Sequence, residues 1–421
     1  SNFEFTADDV LAAVQFSYTV GGANGAGGDG DDVTVTNTDT TITTTGMNSS
    51  AIFAQSIGGG GGTVLGALEG ADGDVSVGGS GQASGDGGDV TVTHSGSIST
   101  ALDTDAGYNV ASFGIFAQSV GGGGGYAGSV QFGPSEFYGA GLDGMSTSDV
   151  SSFGDGGDVT VTVKGDIAGD RGASIGIFAQ SVGGGGGVAG QADGASTSDP
   201  EVYIGNGGGD GTGGAVSVVY ESGTITTTGV GAHGIFAQSA GGPSGGTSGA
   251  TKVSVDVSGD IIVSGKGAHG IFAQSVGEGM GKIAVTIAEG ATVQGGKATA
   301  YADGEDGAGV FIKNGTDDNT LVNNGAITSV LGVDGVAINV KDTTLSVINN
   351  GTIAGSWLKA SDIYLLNQSD GEIYAGKLMN VDTFLNHGVL ELGEADTVAV
   401  STITGNYTQS STGRIVLTLD P

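Results

Sequence analysis

One twelve-residue stretch, Gly-Ile-Phe-Ala-Gln-Ser-Val followed by five glycines, recurs in close copies over more than half of the chain. The copies occupy residues 51–62, 114–125, 176–187, 234–242 and 270–277, and the last two have shortened glycine runs. The isoleucines of successive copies lie 63, 62, 58 and 36 residues apart, so the sequence between copies varies in length. Each repeat of a solenoid contacts only its neighbours, and extra residues leave it as surface loops. The stretch therefore predicts a repeat protein with insertions.

Short β-branched runs such as Val90-Thr-Val-Thr93 alternate apolar and polar residues between the copies, as half-buried strands do. A recurring corner glycine is followed two residues later by Ile or Leu. These glycines are Gly96, Gly165, Gly223, Gly259, Gly325, Gly351, Gly371, Gly388 and Gly413. Because glycine tolerates the left-handed conformation of a sharp bend, we predict three short strands per turn with glycine at one corner.

Stacked turns of this kind form an all-β parallel β-helix, a β-solenoid in which equivalent residues lie above one another about 4.8 Å apart. Eleven turn starts can be counted, which predicts a rod of roughly 50 Å. They are Val33, Val90, Val159, Val216, Val253, Ile283, Leu321, Leu345, Tyr364, Phe384 and Tyr407.

Stacking predicts two side-chain ladders from the repeated Ile-Phe-Ala-Gln-Ser strand. One contains Phe53, Phe116, Phe178, Phe236 and Phe272, and the other contains Gln55, Gln118, Gln180, Gln238 and Gln274. Phe and Gln share one face of the strand, and Ile and Ala share the other. We expect Ile and Ala to face the core, the Phe column to be sheltered by the glycine loops, and the Gln amides to bond along the axis.

Changes in residue composition along the chain predict three segments. Residues 1–20 form a cap or linker, residues 21–315 form the glycine-rich part, and residues 316–421 form turns with Asn-Gly corners and larger apolar residues such as Trp357, Tyr364 and Phe384. Insertions fall near 63–88, 126–154 and 188–214. Because the glycine runs follow Gln-Ser in register, we expect them to extend the stacked sheet through backbone hydrogen bonds.

Composition narrows the possible partners. The formal charge is −34 and the first basic residue is Lys164, so nucleic acid and anionic membranes are disfavoured as ligands. The chain has no cysteine, which excludes disulfides and thiolate metal sites. No apolar run is long enough to span a membrane as a helix. Its 89 glycines would suit a disordered chain, but they lie between alternating strands, as β-solenoid corners require.

A Gly-Asp-Gly-x-Asp-Val-Thr-Val motif, preceding the first strand of three consecutive turns, is the candidate metal site. In-register stacking would line six like charges along one edge, which calcium, a cation that takes oxygen ligands, would relieve. The alternative is that Asp-Gly simply makes good turns and that water screens the charges. The six carboxylates belong to Asp29, Asp32, Asp86, Asp89, Asp155 and Asp158.

No set of residues predicts catalysis. Carbohydrate-cleaving β-helices use clustered carboxylates, usually with basic residues, on one face. The two arginines, Arg171 and Arg414, fall on separate turns. We therefore predict that the protein is not an enzyme and has no cofactor, calcium excepted.

The repeated Gly-Ile-Phe-Ala-Gln-Ser-Val-Gly-Gly-Gly-Gly-Gly resembles the passenger domains of bacterial type V autotransporters. Residues 385–392 and 405–421 resemble the junction where such passengers enter their folding-promoting segment. The resemblance implies a right-handed parallel β-helix, export across the outer membrane, display at or release from the cell surface, and a C-terminal β-barrel that would lie outside this chain.

These features predict a non-enzymatic surface passenger that acts in adhesion, either to a host or matrix surface or to copies of itself on neighbouring cells. One alternative is a structural subunit of an extracellular filament or matrix. A third is a carbohydrate-active β-helix enzyme.

Overall fold

A computed structural model shows a right-handed parallel β-helix, as predicted. Each of the first ten turns contributes one strand to each of three faces, the described part of the eleventh contributes to the first two, and the turns stack through parallel pairing. The structure describes residues 18–20, 28–45, 49–59, 62–64, 75–77, 85–100, 112–122, 124–127, 130–131, 154–170, 174–184, 186–189, 192–193, 203–205, 211–241, 251–277, 280–297, 307–359, 362–393 and 400–417. Most of the predicted 1–20 segment lies outside these residues.

The first face is an eleven-stranded parallel sheet, and each predicted turn start lies in one of its strands, which confirms the turn count. Val33 pairs with Val90 and Val90 with Val159, so the register is kept from turn to turn. The strands are Val33–Asn37, Val90–Ser95, Val159–Lys164, Val216–Ser222, Thr251–Val257, Met280–Ile287, Asn319–Asn323, Leu345–Asn349, Ile363–Asn367, Thr383–Asn386 and Asn406–Gln409.

The second face follows the glycine corner and consists of short strands. It contains Ile42–Thr44, Ile98–Thr100, Ile167–Gly169, Thr224–Thr227, Asp260–Val263, Thr292–Gly295, Ala326–Ser329, Val389–Leu392 and Arg414–Val416, together with the first halves of Thr352–Lys359 and Glu372–Met379.

The third face carries the repeated Ile-Phe-Ala-Gln-Ser strands. Its members are Ile52–Ile57, Ile115–Val120, Ile177–Val182, Ile235–Ala240, Ile271–Val276, Ala308–Asn314, Val336–Lys341 and Thr402–Ile403, with the second halves of the two long strands.

The core runs along the solenoid axis and is filled from all three faces. Val90 and Val92 come from the first face and Ile98 from the second, while Ile115 and Ala117 come from the third; all are at most 1% exposed. The alternation of these residues with outward Thr and Ser follows the two-residue period of a strand. Ile and Ala of the repeated strand therefore face the core, as predicted.

In the C-terminal turns, larger side chains fill the core. Trp357 and Phe384 are fully buried, as expected, but Tyr364 points outward and is 46% exposed. The reason is the register, in which Ile363 rather than Tyr364 pairs with Leu345 and takes the inward position.

The corner glycines are required for two different reasons. Gly96, Gly165 and Gly223 have positive φ angles of 117°, 128° and 106°, so three corners use the predicted left-handed region. The later corners do not. There the constraint is crowding, because a Cβ on Gly351 would lie 2.1 Å from the carbonyl oxygen of Gly325 in the turn before.

The glycine runs extend the stacking into a separate small sheet, which confirms the expected backbone pairing. Gly124–Ala127 pairs in parallel with Gly62–Val64 on one side and Gly186–Ala189 on the other, and Tyr203–Gly205 closes the sheet in antiparallel orientation. Two further pairs join Tyr18–Val20 to Val75–Val77 and Val130–Gln131 to Ala192–Asp193.

Helix is nearly absent from the described residues, where a single 3-10 turn spans Gly332–Asp334. None of the helical structure found in that part of the chain is long and apolar enough to cross a membrane.

We expect Gly165→Ala to destabilise the turns next to residue 165 more strongly than Gly290→Ala destabilises the turns next to residue 290. Both residues have positive φ, which costs an alanine about 1–2 kcal/mol. A Cβ at Gly165 would also lie 1.9 Å from the Gly96 carbonyl oxygen, whereas nothing lies within 4 Å at Gly290. Hydrogen exchange of the flanking strands measures the difference, and equal losses of protection would contradict this explanation.

Candidate functional site: ladders and outer faces

The glutamine ladder forms as predicted along the third face. Each side-chain Nε2 donates to the Oε1 of the next turn, at 2.5 Å from Gln118 to Gln180 and from Gln180 to Gln238. The Gln55–Gln118 bond is 2.5 Å and the Gln238–Gln274 bond is 2.7 Å. Because amides are both donors and acceptors, a buried column of them satisfies itself without adding charge.

The phenylalanine ladder also forms. Ring centroids of Phe53 and Phe116 lie 4.6 Å apart and those of Phe116 and Phe178 lie 4.8 Å apart, with the rings nearly parallel. Phe236 continues the stack at 5.1 Å, but Phe272 turns its ring by 88° relative to Phe236. Each such pair contributes about 0.5–1.5 kcal/mol beyond its buried area.

A second apolar layer covers the middle of the Phe ladder. Phe113 and Ile175, which precede repeated strands, are fully buried and pack in one cluster with Phe116, Phe178 and Phe236. The Phe113 ring lies 5.4 Å from both Phe116 and Phe178. The sequence prediction assigned this shelter to the glycine loops, whereas the described contacts come from residues just before the strand.

A sixth copy of the repeated strand, not predicted from the sequence, lies at residues 309–314. Phe311 stacks 4.7 Å from Phe272, so the phenylalanine ladder continues into the strand Ala308–Asn314. Lys313 pairs in register with Gln274, and the Gln274 amide donates instead to Asn314 at 3.1 Å, so the glutamine ladder ends there. The signal was present, because residues 309–314 read Gly-Val-Phe-Ile-Lys-Asn, a degenerate copy of Gly-Ile-Phe-Ala-Gln-Ser.

The serine of the repeated strand was not singled out from sequence, but it joins the third face to the next corner. The Ser119 hydroxyl donates to the Gly88 carbonyl oxygen at 2.8 Å and accepts the Gly157 N–H at 2.9 Å. Ser181 makes the same pair of bonds with Gly157 and Gly214 one turn later. Each hydroxyl therefore bridges two successive turns at the aspartate corner.

The six predicted aspartates form two columns at that corner, and each carboxylate accepts a backbone N–H from the following turn. In one column Asp29 accepts from Asp86 at 3.0 Å, and Asp86 accepts from Asp155 at 2.8 Å. In the other column Asp32 and Asp89 accept from Asp89 and Asp158 at 3.0 and 2.8 Å.

Each column ends at the next turn, where Thr212 and Ala215 occupy the positions equivalent to the aspartates. Asp155 accepts from the backbone N–H and the hydroxyl of Thr212, and Asp158 accepts from the Ala215 N–H. Backbone donors therefore offset part of the repulsion expected between stacked carboxylates. Within the described residues, no group of three or more His, Cys, Asp or Glu is placed to hold a metal ion. The calcium site stays a prediction.

Two histidines stack in the middle of the solenoid. The His233 and His269 ring centroids lie 5.1 Å apart. Nδ1 of His233 accepts the His269 N–H at 2.9 Å, and Nδ1 of His269 accepts the Ala308 N–H at 2.9 Å. Burial lowers the pKa of His233 to about 4 and holds the pKa of His269 well below its ordinary value, with the neighbouring His233 contributing. Both rings are neutral at pH 7.

A buried asparagine column runs along the first face of the C-terminal turns. Asn323 donates to Asn349 at 2.8 Å, Asn349 to Asn367 at 2.8 Å, Asn367 to Asn386 at 2.7 Å, and Asn386 to Gln409 at 3.1 Å. The sequence contains a signal for this column, because Asn323, Asn349 and Asn386 each lie two residues before a corner glycine. The Oδ1 of Asn323 is buried without a partner, because Ile287 occupies the preceding level.

The outer surface of the first face changes character along the axis. Its second outward column begins with Thr36, Thr93 and Thr162, which pair in register. Val219, Asp256 and Thr286 follow in the same column. The next four turns place Val322, Ile348, Leu366 and Leu385 there, and the column ends in Thr408. The face therefore carries hydroxyl groups in its first three turns and a four-turn aliphatic stretch near its other end.

We expect Asn349→Ala to destabilise the C-terminal turns by about 2–4 kcal/mol, since buried partners lose their hydrogen bonds and a cavity remains. The Asn349 amide donates to Asn367 and to the carbonyl oxygens of Gly351 and Glu372. Asn350→Ala is the matched control, because the Asn350 side chain is partly exposed and its described hydrogen bond is to Asn324. Denaturant unfolding compares the two, and equal losses would contradict a special role for the column.

Acid should lower the stability of the central turns that contain His233 and His269. The folded pKa values of His233 and His269 lie below the ordinary value of 6.5, so the unfolded chain binds more protons. Stability is therefore retained above pH 6.5 and falls as the pH drops from about 6.5 toward about 4. Protonated Nδ1 also cannot accept the N–H of the next turn.

Hydrogen exchange of Ile235–Ala240 and Ile271–Val276 between pH 7 and pH 4, corrected for intrinsic exchange, measures this effect. The double variant His233→Asn, His269→Asn keeps an acceptor near each Nδ1 position without titrating in this range, so its protection should depend less on pH. His387→Asn, in a distant corner, is the control. An unchanged pH dependence in the double variant would show that other groups are responsible.

Comparison of the chain with protein-family profiles, with curated proteins and with solved structures gave no match.

Proposed function

We propose that this protein is a non-enzymatic passenger of the autotransporter type, exported across the outer membrane, that acts at the cell surface in adhesion or self-association. The supporting observation is the outer surface of the first face, where eleven strands pair in register and the first three present threonine at paired outward positions turn after turn. A surface of this kind favours many equivalent weak contacts over one deep binding site.

Repetition along a rod favours adhesion for a physical reason. When many copies are displayed together, each additional contact is effectively intramolecular, so weak individual contacts add to a strong attachment. Candidate partners are a host or matrix surface and a second copy of the chain. With a formal charge of −34, nucleic acid and anionic lipid are disfavoured.

A structural filament or matrix subunit is the second candidate. A solenoid of strands in register can extend when the terminal strand of one copy pairs with that of the next, and stacking of solenoids end to end would produce a fibre. Ordered fibres in electron micrographs of the pure protein would favour this candidate over adhesion.

Bead clumping tests the proposal. Beads coated with the chain should aggregate with each other, or attach to a matrix-coated surface, while bare beads should do neither. Loss of clumping in EDTA, restored by calcium, would support the calcium prediction for the aspartate columns. Failure of coated beads to bind either each other or any matrix surface would contradict an adhesive function.

A further inference from the structure

We propose that the chain docks against a second copy of itself through an aliphatic patch on the outer surface of the first face, formed by Val322, Ile348, Tyr364, Leu366 and Leu385. This inference rests on the proposed adhesive function and names its partner and contact surface.

The patch is continuous across four consecutive strands. Val322 pairs with Ile348, Ile348 with Leu366, and Leu366 with Leu385, so the four form a single column. Tyr364 lies two residues before Leu366 on the same outward side and is 46% exposed. The column residues are partly exposed, so no described part of the chain covers them completely.

The patch differs from the first three turns of the column in a way that core packing does not explain. These side chains point away from the core, where the equivalent positions of the first three turns are threonines and the only aliphatic residue between is Val219. Aliphatic groups at outward positions leave apolar area in water, which costs about 25 cal/mol per Å². Contiguous exposed apolar surface of this type marks interaction sites.

The absence of charge on the patch indicates which partner it suits. The outward residues of the four strands, including Thr320, Ser346 and Thr383, are all uncharged, in a chain of formal charge −34. Two copies that meet through their aspartate columns bring like charges together, whereas two copies that meet through this patch do not. A basic partner would gain more from the aspartate columns.

The edges of the patch also decide the orientation. Asp318, Asp342 and Asp362 are exposed at the edge where the strands begin, and Asp318 is paired with Lys282 at 3.7 Å. At the edge where the strands end, Asp370 is the single exposed carboxylate of the described corners. A two-fold axis parallel to the solenoid places the edge with three aspartates over the edge with one. A two-fold axis along the strands would place the edge with three aspartates over itself, so the parallel arrangement of solenoids, which brings fewer carboxylates together, is favoured.

The area predicts a weak contact. Four strands about 4.8 Å apart and five residues long cover roughly 300 Å² per copy. This gives about 600 Å² in total, below the ~1,200 Å² of stable complexes. A single pair is therefore transient, and strength comes from many copies on opposing surfaces.

Cysteine crosslinking tests both the surface and the orientation, because the chain has no cysteine of its own. Val322→Cys chains treated with a short bis-maleimide should give covalent dimers. Val322 and Leu385 lie three strands apart, about 14 Å, at opposite ends of the column. In the parallel arrangement Val322→Cys should crosslink to itself better than to Leu385→Cys. Thr93→Cys, in the same column, is the control and should crosslink at the background rate.

Charge insertion supplies an independent measurement. The double variant Ile348→Glu, Leu366→Glu adds two outward charges and should reduce clumping of coated beads at least tenfold. Thr93→Glu, Thr162→Glu adds the same charges to the same column in the early turns and should clump as the unchanged protein does. Circular dichroism shows whether each variant keeps its β-structure.

The outcomes separate this inference from the proposed function. Clumping that survives Ile348→Glu, Leu366→Glu, with no crosslinking at Val322, would overturn the patch while leaving self-association in place. If coated beads attach to the matrix but do not clump, a second copy is not the partner, and the proposed adhesive function still stands. Preferred crosslinking of Val322→Cys to Leu385→Cys would overturn the parallel orientation. If the glutamate variant loses its β-structure, the crosslinking result decides whether the patch is the contact surface, because the cysteine variants carry no added charge.

Discussion

The structure depends on in-register parallel pairing of the backbone from one turn to the next. Because each residue pairs with its equivalent one turn away, any side chain that the sequence repeats must lie against its own copies. Stacking of identical groups is favourable for amides and aromatic rings, which bind themselves, and unfavourable for charges. The composition of each column follows from this constraint.

The chain meets the constraint differently in its two halves. In the repeats, glutamine and phenylalanine columns line the third face, and the serine hydroxyls join that face to the aspartate corner. In the C-terminal turns, asparagine takes over the stacking on the first face. Where carboxylates do stack, each one accepts a backbone N–H from the next turn, so a fixed donor lies beside every stacked charge, including those of Asp155 and Asp158 at the ends of the columns. The glutamine ladder ends with a hydrogen bond to Asn314, and the asparagine column begins at Asn323.

The outer surface is the part of the molecule that packing leaves free to vary. Inward positions must fit a narrow core, but outward positions of the first face tolerate threonine, serine or aliphatic residues with the same backbone. The change from threonine to aliphatic residues along one column therefore carries information about contacts outside the chain, and this is why our proposals on adhesion and self-association rest on that surface.

The sequence alone determined the periodic part of this protein. Alternation and recurring glycine corners were sufficient to count eleven turns and to identify which residues share a column, since the strand period and the pairing register are local properties. Only the tertiary structure decided what each column contacts. It buried the Phe side of the repeated strand beneath Phe113 and Ile175, placed the serine hydroxyls between turns, and turned Tyr364 outward. These outcomes depend on which segments, distant in sequence, pack against each face. The two-residue period of a strand separates its two faces but does not show what packs against either of them.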